Sequence, residues 1–286
     1  MRLVSYRIDG RSRSGVRIGE RVYDLDDLGA GDRSLIALLA DGGEALGALA
    51  RKADDADVTS ARALAELDLL PAVAEPGKII CLGLNYVDHA REGNLPIPEH
   101  PVVFLRTTRS LAAAGQKVTV PRLSEQLDYE AELAVVIGRG GKDIAESDAL
   151  SHVAGYALFN DITVRDYQWR GPQWTIGKNF DGTGILGPEI VTPDELPAGG
   201  AGLRIQTRIN GETLQDGNTR DMIFDVAATI ASLSETMTLD PGDVIATGTP
   251  AGVGAARKPP RWLRAGDICE VEIEGLGIQR TVIAAA

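Results

Sequence analysis

Residues 128–138 read DYEAELAVVIG, a run that passes from carboxylates into uninterrupted apolar side chains. An apolar run without a polar face is typical of a strand buried on both sides. Side chains two apart on a strand share a face, so Glu130 and Glu132 should point together, and Asp128 with them. Neighbouring carboxylates repel, and keeping both ionised usually requires a cation between them. The stretch predicts a cation site, and the alternative is a solvated strand edge.

Asp161 offers a further carboxylate, because it ends a second apolar run that begins near residue 152. The chain has only 3 His and 2 Cys, so a zinc site built from several His or Cys ligands is not indicated. A cluster of carboxylate oxygens suits Mg²⁺ or Mn²⁺ instead. Glu130, Glu132 and Asp161 are therefore the predicted metal ligands.

Short apolar runs bounded by Gly, Pro or charged residues recur along the chain and predict strands. They occupy residues 78–83, 101–105, 152–159, 242–248 and 267–273. One helix is predicted over about 221–237, where Val226, Ile230 and Leu233 form a stripe. Strands without regular βαβ alternation predict an α+β, β-rich fold with a mostly antiparallel or mixed sheet.

The first seventy residues have a different composition. Short strands are predicted over 1–25, and leucines at helical spacing follow between 34 and 70. Residues 71–77 contain two prolines and a glycine and look like a linker. We therefore predict a small N-terminal α/β domain over 1–72 and a main domain over 73–286.

Charge and hydropathy exclude several classes of function. The formal net charge of −12 argues against a general binder of nucleic acid or of anionic membranes. No apolar run approaches the ~18 residues of a transmembrane helix, and the first residues do not resemble a signal peptide. Cys81 and Cys269 lie in apolar runs and suggest core packing rather than a disulfide framework. We expect a cytoplasmic protein.

Other segments have residues suited to catalysis. If residues 85–93 form a helical turn, His89 and Glu92 are neighbours on one face, as in a general base oriented by a carboxylate; a surface ion pair is the alternative. Lys178 lies among Gly and aromatic residues, where it could meet an oxyanion or simply face solvent. The basic run 257–264 favours a solvated loop.

Five segments in chain order together resemble the fumarylacetoacetate hydrolase superfamily over about residues 78–280. They are the segment from Gly83 to Glu92 with His89, LDYEAEL at 127–133, the segment from Gly155 to Asp166, GKNFD at 177–181, and TGTP at 247–250. The resemblance implies a mixed β-roll catalytic domain, a smaller N-terminal domain and a homodimer.

The same resemblance implies roles for individual residues. Glu130, Glu132 and Asp161 would bind Mg²⁺ or Mn²⁺, and His89 with Glu92 would activate water. Lys178 would stabilise oxyanion charge. Substrate contacts would come from Arg165, Gln168 and Thr249.

On these grounds we expect a metal-dependent hydrolase that cleaves a C–C bond of an acylpyruvate or related 2,4-dioxo acid, releasing pyruvate and a carboxylic acid. Oxaloacetate-type decarboxylation and isomerisation of unsaturated 2-oxo diacids are alternatives on the same metal-enolate site. A non-catalytic metal-binding protein is the alternative of another class.

Overall fold

The strand Ala131–Ile137 lies inside the largest sheet, and all 7 of its residues are buried. Its alternate side chains enter two cores, with Leu133 and Val135 on one face and Ala134 and Val136 on the other. This burial on both faces is what the apolar sequence predicts. The structure is a computed structural model, and it describes residues 1–31 and 34–286.

The described residues form strands β1–β20, which in chain order are Arg2–Ile8, Arg11–Ile18, Arg21–Asp24, Arg62–Ala63, Asp68–Leu69, Ile79–Gly83, Val102–Arg106, Leu111–Ala113, Val118–Thr119, Leu127–Asp128, Ala131–Ile137, Val153–Asp161, Thr163–Val164, Gly184–Leu186, Glu189–Val191, Arg204–Ile209, Glu212–Asn218, Val244–Ala246, Ile268–Ile273 and Gly277–Ala284. Helices α1–α7 are Leu35–Ala40, Gly43–Asp55, Val87–Glu92, Glu146–Ala149, Arg165–Gln168, Thr175–Lys178 and Val226–Thr236. Short 3₁₀ helices occupy Val58–Ser60, Leu64–Glu66, Thr108–Ser110, Leu150–His152, Pro193–Glu195, Ala198–Gly200, Thr219–Asp221 and Gly254–Ala256.

The strands form one large sheet and two smaller ones. The large sheet has the order β4-β3-β2-β1-β15-β12-β11-β18-β6-β7, with β5, β8 and β14 attached to it. Its pairs are mostly antiparallel, but β6 runs parallel to β18, and β8 to β14. The second sheet has the order β17-β16-β19-β20-β9, and β10 pairs with β13. The α+β, β-rich prediction with a mixed sheet is confirmed.

Two layers cover the large sheet. The N-terminal helices α1 and α2 contribute Leu38, Leu39 and Leu49 to the core on one face. On the other face, Ile230 of α7 and Val271 of the second sheet join Leu133 of β11. The central strands are therefore shielded on both faces, and the site lies where they end.

The predicted helix over 221–237 is shorter in the structure. Helix α7 begins only at Val226, because the carboxylate of Asp225 accepts a hydrogen bond from the Ala228 amide and caps the first turn. Thr219–Asp221 forms a separate 3₁₀ turn. The beginning predicted at residue 221 is therefore wrong.

The N-terminal segment shares the large sheet with the rest of the chain, since β1 pairs with β15. The division into domains 1–72 and 73–286 stays a prediction. No helix in the described part of the chain is long and apolar enough to cross a membrane. The cytoplasmic location and the homodimer also stay predictions.

Candidate active site

Antiparallel pairing of β11 with β12 brings the three predicted metal ligands together. Glu132 lies opposite Phe159 in the ladder, so Asp161 at the end of β12 comes beside Glu130, and the Asp161 amide donates to the Glu130 carbonyl at 2.9 Å. One carboxylate oxygen from each of Glu130, Glu132 and Asp161 lies within 4.8 Å of the others, and all three residues are buried. The predicted cluster is present.

Buried cations neutralise two of these carboxylates. The Lys178 ammonium lies 2.6 Å from Glu130 and 2.5 Å from Asp161. Arg165 lies 2.6 Å from the second oxygen of Glu130, and Arg106 forms an ion pair with Asp161. Burial alone would raise the pKa of Glu130, but the charges of Arg165 and Lys178 outweigh it and lower the pKa to about 2. Glu130 is therefore ionised at neutral pH.

Glu132 has no ion pair with any described residue. Its carboxylate accepts a hydrogen bond from the Gly248 amide at 3.0 Å. Burial, followed by the negative charges of Asp161 and Glu130, raises its pKa well above the usual range. Gly248 has a φ of +92°, a backbone conformation that favours glycine. In this conformation its amide points toward the Glu132 carboxylate. Three clustered carboxylate oxygens, of which the Glu132 oxygen has no paired cation among the described residues, fit a divalent ion such as Mg²⁺ or Mn²⁺.

Asp128 does not share the face of Glu130 and Glu132, and that expectation is wrong. The chain leaves the strand conformation at residues 129–130, so Asp128 belongs to the separate strand β10. Its carboxylate accepts hydrogen bonds from the amides of Gly254 and Ala255 at 2.7 and 3.0 Å, and from Arg165 at 2.8 Å. Asp128 therefore fixes the loop over 247–256 and orients Arg165.

Replacing this buried anchor should destabilise the protein. Asp128→Asn keeps the shape but removes the charge that Arg165 faces, and breaking a buried pair of this kind costs about 3–5 kcal/mol. Urea unfolding followed by circular dichroism measures the change. Asp88→Asn removes one partner of an exposed ion pair with Arg91 and should leave the midpoint unchanged. Equal midpoints for both variants would contradict the anchoring role.

His89 and Glu92 form the predicted pair on helix α3. The Nδ1 atom of His89 lies 2.7 Å from one carboxylate oxygen of Glu92, and the other oxygen accepts a hydrogen bond from the Gly252 amide at 2.8 Å. At the beginning of this segment, the side-chain amide of Asn85 donates to the Thr247 carbonyl at 2.8 Å. The segment from Asn85 to Glu92, which contains the dyad, is therefore hydrogen-bonded at its beginning and at its end to the loop after β18.

The dyad and the carboxylates border one pocket of about 570 Å³. Apolar side chains, among them Leu82, Phe104 and Trp174, also line it. The predicted site residues that line it are His89, Glu92, Glu130, Glu132, Arg165, Gln168, Lys178 and Thr249. Asp161 is fully buried behind Lys178 and Arg106.

The predicted substrate contacts already have partners within the protein. Arg165 donates to Gln168 at 2.9 Å and to Asp128, so its guanidinium is fixed in place. The Thr249 hydroxyl accepts a hydrogen bond from Gln215 at 2.8 Å, which leaves its own proton available for an acceptor in the pocket. The roles of Arg165, Gln168, Thr249 and Lys178 toward substrate stay predictions.

Two cations of this region were missed in the sequence. Arg106 is the last residue of the apolar strand β7 and is buried against Asp161. An arginine at the end of an apolar run was the sequence feature that could have indicated this buried ion pair. Lys258 belongs to the basic run that was expected to be only a solvated loop, but it lines the pocket. In that run, Arg257 donates a hydrogen bond to the Leu214 carbonyl, and Arg261 donates one to the Asp267 carboxylate.

Comparison with known proteins identifies the family. A family model described as fumarylacetoacetate (FAA) hydrolase C-terminal matches residues 78–284. The mitochondrial oxaloacetate tautomerase FAHD2A of Homo sapiens is 46% identical over 215 residues, which are 74% of this chain and 68% of that protein.

Solved structures agree with that match. Fumarylacetoacetate hydrolase from Exiguobacterium antarcticum is 38% identical with a TM-score of 0.85, and 100% of both chains is covered. Maleylpyruvate hydrolase from Sphingobium sp. SYK-6, in complex with manganese(II) and pyruvate, is 29% identical with a TM-score of 0.83, again over 100% of both chains. The chain belongs to the fumarylacetoacetate hydrolase family.

Proposed function

We propose that this protein is a divalent-metal-dependent tautomerase that interconverts the keto and enol forms of oxaloacetate or a closely related 2-oxo dicarboxylic acid. The observation that carries the proposal is the position of the His89–Glu92 dyad in the same pocket as the carboxylates Glu130 and Glu132. The 46% identity to a human oxaloacetate tautomerase favours this reaction over the acylpyruvate hydrolysis expected from the sequence.

Keto–enol interconversion requires a base that takes a proton from the carbon beside the carbonyl. Because Nδ1 of His89 faces Glu92, a proton on Nδ1 leaves Nε2 with the lone pair that accepts the substrate proton. The resulting imidazolium is stabilised by Glu92 and returns the proton to the enolate oxygen. Glu92 therefore orients His89 and balances its charge.

Mg²⁺ or Mn²⁺ held by Glu130, Glu132 and Asp161 would supply Lewis-acid stabilisation of the enolate. Manganese(II) in the related maleylpyruvate hydrolase supports this choice of ion. Within the chain, Lys178 and Arg165 hold Glu130 ionised and in place, and Gly248 holds Glu132. The apolar walls formed by Phe104 and Trp174 limit water near the reacting carbon.

The test follows the ultraviolet absorbance of enol-oxaloacetate. The protein with Mg²⁺ or Mn²⁺ should accelerate decay of the enol without forming pyruvate, and excess EDTA should stop the acceleration. The matched control contains the same metal without protein, because divalent ions alone promote enolisation. Release of pyruvate at the rate of enol decay would instead indicate decarboxylation, and no acceleration would contradict the proposal.

Hydrolytic C–C cleavage is the second candidate. It is supported by the likeness to maleylpyruvate hydrolase. In this reaction His89 would take a proton from water instead of from a substrate carbon. An acylpyruvate supplied under the same conditions distinguishes the two, because cleavage yields pyruvate and a carboxylic acid whereas tautomerisation yields neither.

A further inference from the structure

Lys258 lines the pocket, yet no described residue pairs with it by ion pair or hydrogen bond. It is exposed, whereas Glu130 and Glu132 at the other end of the pocket are buried. Leu95 and Trp169, which are 46% and 62% exposed, also belong to the lining. Lys258 therefore lies at the solvent-facing mouth.

The loop that presents Lys258 is held firmly. The amides of Gly254 and Ala255 donate hydrogen bonds to the buried Asp128 carboxylate. The Arg261 amide donates to the Gly254 carbonyl at 3.0 Å. Farther along, the Leu263 amide donates to the Leu127 carbonyl at 2.7 Å. Since the backbone is fixed on both sides of residue 258, only the flexible lysine stem needs to order when an anion binds.

The other cations of the pocket are already neutralised. Arg165 is paired with Asp128 and Glu130, and Lys178 with Glu130 and Asp161. The carboxylate of Glu92, which also lines the pocket, is occupied by His89 and the Gly252 amide. Among the pocket residues that the structure describes, Lys258 is thus the cation left to meet a negative charge on a ligand.

We infer that Lys258 binds the distal carboxylate of a 2-oxo dicarboxylic acid and so selects diacids over 2-oxo monoacids. The inference rests on the proposed function in one respect, namely that the 2-oxo acid end of the substrate lies at Glu130, Glu132 and Asp161. The distal end then extends along the apolar walls toward the mouth. There the ammonium group provides a charge-assisted hydrogen bond that a methyl group cannot accept.

Binding to the Mn²⁺-loaded protein tests this without turnover. We compare calorimetric titrations with 2-oxoglutarate and with 2-oxopentanoate, which differ only in a distal carboxylate against a methyl group. Lys258→Met should weaken 2-oxoglutarate binding about 10- to 100-fold and leave 2-oxopentanoate binding unchanged. Lys258→Arg should restore most of the preference for the diacid.

Arg264→Met is the matched control, because Arg264 is an exposed cation of the same loop that does not line the pocket. It should bind both acids as the unaltered protein does. Equal weakening of both acids by Lys258→Met, or no preference for the diacid before substitution, would overturn the inference.

Enol-oxaloacetate decay measured on the same variants separates this inference from the proposed function. Normal tautomerase activity with an unchanged diacid preference in Lys258→Met refutes only the role of Lys258. If Lys258→Met loses the diacid preference but the unaltered protein does not catalyse tautomerisation, only the proposed reaction is refuted.

Discussion

Glu130→Gln is expected to lower kcat/KM for enol-oxaloacetate by about 10³-fold or more and to abolish tight binding of Mn²⁺. The substitution keeps the volume of the side chain but removes one of three clustered carboxylates. It also deprives Lys178 and Arg165 of a buried charge partner, so their positive charges then repel a metal ion. Loss of several kcal/mol of metal-derived stabilisation corresponds to a rate effect of this size.

Calorimetric titration with Mn²⁺ and enol decay at saturating metal measure the two effects. Glu189→Gln is the matched control, since Glu189 is also a buried carboxylate of the large sheet but pairs with Arg2 and Arg17 outside the pocket. It should bind Mn²⁺ normally. Full activity in Glu130→Gln would refute the assignment of Glu130 as a metal ligand.

The parts of the site that depend on strand geometry could be predicted from the sequence. Residues two apart on a strand share a face, so Glu130 and Glu132 were placed together correctly. Glu130 directly precedes β11 and still lies beside Glu132. The same rule failed for Asp128, because Asp128 belongs to the separate strand β10 and the amides of Gly254 and Ala255 hold its carboxylate elsewhere. A period-two pattern contains no sign of such an interruption.

Contacts between distant segments were harder to foresee. Arg106 and Asp161 are 55 residues apart in the chain. They meet because β8, which follows β7, pairs with β14, and β14 pairs with the end of β12. Lys258 lies in a run whose charge favoured solvent, but its loop is anchored by Asp128 and Lys258 lines the pocket. The resemblance to a family indicated which residues share a site, whereas the hydrogen-bond and ion-pair partners of those residues could be identified only from the fold.

The His89–Glu92 dyad and the carboxylate cluster lie in one pocket but come from different elements. His89 and Glu92 come from helix α3, whereas the carboxylate cluster comes from the ends of β11 and β12. Glu92 also accepts the Gly252 amide, so the dyad is held against the loop that carries Gly248 and Thr249. A change at His89 should therefore affect the reaction without disturbing the metal ligands.

His89→Gln is expected to lower kcat for enol-oxaloacetate by about 10²- to 10⁴-fold, the usual contribution of a general base, while Mn²⁺ binding stays normal. Glutamine retains a hydrogen-bonding group near Glu92 but cannot accept the substrate proton at neutral pH. His100→Gln is the matched control, because His100 is exposed and does not line the pocket, and its activity should be unchanged. Stopped-flow decay of the enol absorbance measures kcat, and calorimetry measures the metal. If His89→Gln kept full activity, proton transfer would have to be assigned to another group. If His89→Gln lost both activity and Mn²⁺ binding, the dyad would belong to the metal site, and the assignment of separate roles to α3 and to the strand ends would be wrong.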